Sequence, residues 1–156
     1  MIDTQPKRLL FTVFKKSDFN GPVYTNSSKF RHYDISEFSL YVNGRRVPSE
    51  GISLDMDHEK TSVMGYRTLL EGSGIHHSNT GLQITHMYIN GYFMLLFDLT
   101  ADHPASQTHT SLPENGNIRI ELQFSRPLPE AITCVLYLEY DSTVLLNFSR
   151  NFTTDF

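Results

Sequence analysis

Residues 118–124, Ile118-Arg119-Ile120-Glu121-Leu122-Gln123-Phe124, alternate without a break between apolar and polar side chains. Successive side chains of a strand point to opposite faces, so Ile118, Ile120, Leu122 and Phe124 line one face and Arg119, Glu121 and Gln123 the other. The segment reads as a half-buried strand. Upstream, Phe38, Leu40 and Val42 alternate with Glu37, Ser39 and Tyr41 in the same period. Leu9 to Phe14 reads as another strand, and Tyr92 to Phe97, apolar throughout, as one buried on both faces. Downstream, Ala131 to Tyr140 and Thr143 to Phe148 read as two long strands joined by Asp141-Ser142 into a closing hairpin, with Ile132, Cys134, Leu136 and Leu138 on one side. Pro127 and Pro129 stand before it, outside the ladder, where a missing amide donor is tolerated.

Four Asn-Gly pairs punctuate these segments: Asn20-Gly21, Asn43-Gly44, Asn90-Gly91 and Asn115-Gly116. Asn and Gly accept the positive φ of tight hairpin turns, which makes these pairs strand reversals and the protein antiparallel. One stretch departs from the period of two. From Asp57 to Gly72, Val63, Tyr66 and Leu70 recur at helical spacing, Asp57 is placed to cap the start, and Gly72 or Gly74 to end it. Gly65 inside that helix costs about 1 kcal/mol relative to Ala. Seven or eight strands with one short helical insertion over about 57–72 and no internal repeat point to an all-β, antiparallel two-sheet sandwich or jelly-roll, a choice of topology that the pattern alone does not make. The expected organisation is a single domain over 1–156 with a flexible tail over about 150–156.

The chain of 156 residues is long enough for one hydrophobic core, and its eleven Phe and eight Tyr supply large apolar contacts without any Trp. The formal charge of −4, from 17 acidic and 13 basic residues, shows no basic stripe of the kind that releases counterions from phosphates, so direct nucleic-acid contact is not expected. No stretch has the roughly 18–20 apolar residues of a membrane span, and the first residues lack the plan of a signal peptide. A soluble, intracellular product is the expectation. On that expectation the sequons at Asn26, Asn147 and Asn151 are chance matches, and Cys134, the one cysteine, reads as a buried, inert thiol.

The search for chemistry returns little. His76-His77, His86, and His103 and His109 near Asp98 and Asp102 invite a metal reading. Adjacent histidines on a strand point to opposite faces, however, and no His-x-His pair sets two imidazoles side by side. Asp98 is either an acid behind a buried strand or the first residue of a capped turn, the latter being preferred. Ser73, Ser78, Thr80 and Cys134 lack any nucleophile motif, and Gly72-Ser73-Gly74 is too short to cradle a phosphate. Tyr24, Tyr33 and Tyr88 are candidate platforms for a sugar. No catalytic residue, metal ligand or cofactor site is assigned, and the chain is not expected to be an enzyme.

Three stretches are distinctive: YVNGRRVPSEG at 41–51, EKTSVMGYRTLLEGSGIHHSNTGLQITHMYINGYFMLLFDLT at 59–100, and ENGNIRIELQFSRPLPEAITCVLYLEYDS at 114–142. With the opening KRLLFTVF at 7–14 and the closing RNFTTDF at 150–156, they resemble the C-terminal jelly-roll region of the major capsid proteins of Polinton (Maverick) elements and adintovirus-like viruses. The resemblance implies a double jelly-roll subunit, three copies of which form a pseudo-hexagonal capsomer, and it carries no catalytic residue. It implies residence in a virion, a capsid structural role and self-association. It also implies an upstream jelly-roll that this chain lacks, so that a fragment, a split gene and a domesticated copy are all open. Phe148, Phe152 and Phe156 near the C-terminus are the expected interface anchors, because aromatic side chains give large contact area at low entropic cost. Two alternatives stand beside this reading: a host-domesticated interaction domain in the nucleus or cytoplasm, and a carbohydrate- or metal-binding jelly-roll of lectin or cupin type.

Overall fold

The computed structural model describes residues 5–19, 29–54, 63–75, 88, 91–100 and 116–155, with Thr143 and residues 152–155 described through their backbone. Its elements, in chain order, are β1 (Arg8–Lys15), α1 (Lys16–Phe19), β2 (Ile35–Val42), β3 (Arg45–Ser53), α2 (Val63–Gly72), β4 (Met94–Asp98), β5 (Ile118–Phe124), β6 (Ile132–Glu139), β7 (Thr143–Leu146) and β8 (Phe152–Asp155). Two antiparallel three-stranded sheets, β4-β1-β6 and β3-β2-β5, form the sandwich, and β7 and β8 pair with each other. The chain changes sheet after β1, β3, β4 and β5, and the nested pairs β1 with β6 and β2 with β5 give the winding a jelly-roll-like character.

The alternation in the sequence sets the faces. Phe38, Leu40 and Val42 of β2 are buried, and their β5 partners Leu122, Ile120 and Ile118 point the same way and pack on the same core. From the other sheet come Leu9, Phe11 and Val13 of β1 and Leu95 and Phe97 of β4. Phe38 joins the two layers, its ring 4.9 Å from Phe11 and stacked 5.3 Å from Phe97. Asn43-Gly44 makes the expected β2–β3 reversal, with φ of 52° and 78°. Asn43 also accepts from the Asn117 amide at 2.9 Å through its side-chain oxygen, tying the turn to the start of β5. The outer face of β3-β2-β5 is polar: Arg46 donates to Glu37 and Ser39, and Arg119 lies 4.4 Å over the Tyr41 ring.

The helix differs from the sequence expectation in its buried stripe. Its described turns begin at Val63, and residues 57–62, including the Asp57 cap, lie outside the described residues. Gly65, Leu69 and Gly72 face inward, while Val63 is exposed. Gly65 is therefore a close approach and not merely a propensity cost: a Cβ there would sit 2.9 Å from Leu54 Cδ2 and from Tyr88 Oη. Gly74, at φ 73°, turns the chain out of the helix. The helix packs along β4 and covers that edge of the sandwich.

The closing hairpin of β6 with β7 does not form. Lys7 donates through its backbone amide to Glu139 O at 2.7 Å, and its ammonium holds Asp141 at 2.6 Å, fixing the chain as it leaves β6. β7 then runs off the sheet and pairs with β8, which occupies most of the stretch expected to be a flexible tail.

Glu130 ties the loop before β6 to the body. It accepts from the Tyr33 hydroxyl at 3.0 Å and faces Lys15 at 2.7 Å and Arg31 at 3.7 Å. The Lys15 ammonium, followed by the Tyr33 and Arg31 contacts, holds its carboxyl below the usual range. Burial and the bond to Glu130 push the Tyr33 phenol up to about 12. A carboxylate with a depressed folded-state pKa contributes stability in full above its unfolded value of about 4.3 and loses it as pH falls through the folded value. Glu130→Gln is therefore expected to lower the melting temperature at pH 7 and to match the parent at strongly acidic pH, as thermal melts across pH would show.

Candidate functional site

Helix α2 touches both β3 and β4, so those edges lie on one side of the sandwich and β5 and β6 lie on the other. Among the described residues no element covers the second side. In β6, Leu136 and Cys134 pair with Phe11 and Val13 of β1 and share their core-facing direction. Yet Leu136 remains 46% exposed, and Cys134 is exposed too. Across from them Ile118, Ile120, Leu122 and Phe124 of β5 are only half-buried. On the other face of β6, Tyr137 is 65% exposed. The outer backbone edge of β6 has no strand partner among the described residues.

The sequence expectation for Cys134 is corrected by this placement. Its neighbours on β6 predict a core position, but β6 is the last strand of its sheet and nothing described closes over it. Apolar surroundings push the thiol pKa up. A thiol reagent is expected to label the native protein without denaturant, at a rate that still rises above the ordinary thiol pKa of about 8.5. A thiol that reacts only after unfolding would contradict the open edge.

Beyond β6 the β7–β8 hairpin stands apart, its strands packing on each other and barely on the sandwich. Val144, Leu145 and Leu146 point alternately to its two faces, and all three are exposed, Leu146 at 73%. Phe148, in the connecting turn, is fully exposed. The turn is locally specified: the Asn147 side-chain oxygen accepts from the amides of Ser149 and Asn151, both at 3.0 Å, and Arg150 takes a positive φ of 61°. Of the three expected anchors, Phe148 lies on this hairpin, Phe152 pairs with Leu146 through its β8 backbone, and Phe156 lies outside the described residues. Looking only to the phenylalanines near the C-terminus missed Val144-Leu145-Leu146, Leu136 and Tyr137. The signal available was the uninterrupted apolar run of β7, the mark of a strand covered on both faces.

The other sequence candidates sit as follows. Asp98 accepts from the Thr100 amide at 3.0 Å and from its hydroxyl, a capped turn at the end of β4. Tyr88 is buried, not an exposed platform, and donates its hydroxyl to Met94 O at 2.9 Å. Tyr33 is committed to Glu130. Ser73 donates to Leu70 O at 3.1 Å in the helix exit. Tyr24, Asn26, His76, His77, Ser78, Thr80, His86, Asp102, His103 and His109 lie outside the described residues. Among the described residues no group of three or more His, Cys, Asp or Glu side chains is arranged to hold a metal ion. No described helix is long and apolar enough to cross a membrane.

Comparison with known proteins gives a similarity but no activity. An uncharacterised protein of Caenorhabditis elegans is 26% identical over 152 residues, covering 94% of this chain and 35% of its own length. The chain thus spans about a third of the curated relative it matches. No protein-family model matches, and no solved structure matches.

Proposed function

We propose that this chain is a capsid-type structural domain whose work is packing against other subunits. The observation that carries the reading is an apolar, open sandwich edge at β5 and β6 beside a projecting hairpin whose apolar residues face both ways. Contiguous apolar surface of this kind marks a protein interaction site. The resemblance of residues 41–51, 59–100 and 114–142 to Polinton and adintovirus capsid proteins supplies the kind of assembly. An interior of packed aliphatic and aromatic side chains suits a scaffold.

Sedimentation velocity and negative-stain electron microscopy of the purified chain test this reading. The expected result is a discrete species above the monomer mass and ordered assemblies as concentration rises. A monomer at every concentration overturns it.

A further inference from the structure

We infer that the β7–β8 hairpin of one chain adds to the open β6 edge of a second copy, and that the exchange is reciprocal. Three observations meet here. First, the acceptor is incomplete: among the described residues β6 ends its sheet, with core-facing Leu136 and Cys134 exposed on one face and Tyr137 on the other. A fourth strand laid along that edge would satisfy its outward amides and carbonyls and cover both faces. Second, the donor matches it, because β7 presents Leu145 to one side and Val144 and Leu146 to the other. An isolated two-stranded hairpin is marginal in water, and this one barely touches its own sandwich. Third, the short link 140–142 is anchored by the Lys7–Asp141 pair, and β7 beyond it pairs with β8 and not with its own β6.

The areas suit a stable pair. Val144, Leu145, Leu146 and Phe148 present on the order of 450 Å² of apolar surface per hairpin. Two hairpins on two acceptor edges then bury an amount near the ~1,600 Å² of a typical stable interface. A two-fold exchange closes on itself and leaves neither hairpin uncovered.

The test uses the full chain carrying Leu145→Cys, with Cys134 as its other thiol, and a short bis-maleimide. The expected product is a covalent dimer that fails to form when either thiol is absent, from a parent whose light-scattering mass is twice 17.9 kDa. The double variant Leu145→Asp, Leu146→Asp is expected to halve that mass, to leave the circular dichroism spectrum unchanged, and to remove the concentration dependence of the melting temperature that the dimer shows. A link formed only within one chain, no link at all, or a ladder of species beyond two each overturns the exchange. The inference stands on the hairpin and the edge, not on the capsid reading. Linked pairs without larger assemblies would remove that reading alone, and larger assemblies without the link would remove the exchange alone.

Discussion

Phe38→Ala is expected to lower the unfolding free energy by about 3–5 kcal/mol, the range for deleting a buried aromatic side chain. The ring is 1% exposed and lies between the two sheets, against Phe11 of β1 and Phe97 of β4. Its strand is the middle one of its sheet, so the backbone is held on both sides and cannot collapse into the space left behind. Both sheets would then face an unfilled volume, and neither Phe11 nor Phe97 would keep its aromatic partner. A melting temperature on the order of 10 °C lower follows for a domain of this size. Phe38→Leu, which leaves a smaller void, should cost clearly less. Thermal melts followed by circular dichroism measure both. A loss below 1 kcal/mol for Phe38→Ala would mean that this ring is not the joint between the layers.

Gly72→Ala is expected to destabilise by about 2–3 kcal/mol, as overpacking against an unyielding neighbour does. Helix propensity alone points the other way, since Ala is favoured over Gly by about 1 kcal/mol in a helix interior. The sign is decided by where the helix lies. A Cβ on Gly72 would come 2.6 Å from the carbonyl oxygen of Leu96 and 2.8 Å from its carbonyl carbon, which is backbone of β4 and cannot rotate aside. At Gly65 the atoms met at 2.9 Å are the ends of the Leu54 and Tyr88 side chains, so Gly65→Ala should be milder. Hydrogen exchange would report the change directly: in Gly72→Ala the α2 amides should lose protection before those of β1 and β2. A neutral or stabilised Gly72→Ala protein would show that α2 does not press on β4.

The two substitutions mark different depths of reading. That residue 38 belongs inside is visible from its place in the alternation Phe38, Leu40, Val42. That residue 72 tolerates no side chain is not visible, because a glycine near a helix end reads first as a stop signal. The same difference separates Leu136 from Leu138. Both sit in phase on β6, and only the absence of a further described strand beside β6 leaves Leu136 exposed while Leu138 packs on the core.

The sequence by itself determined the strands β1, β2 and β4 to β7, the inward faces of β2 and β5, the Asn43-Gly44 reversal and the helical insertion, but left β3 unread and took β8 for a flexible tail, since what it read depends on local period or on the φ that a few neighbouring residues accept. It misassigned the partner of β7, the exposure of Cys134 and the buried stripe of α2. These depend on which edge lies next to which, and on one ion pair between residues distant in sequence, Lys7 and Asp141. The open β5–β6 edge and the two-faced hairpin were decided by tertiary structure alone. An apolar residue carries the same local signal whether another strand covers it or not, and only the packing of the sheets leaves that surface exposed.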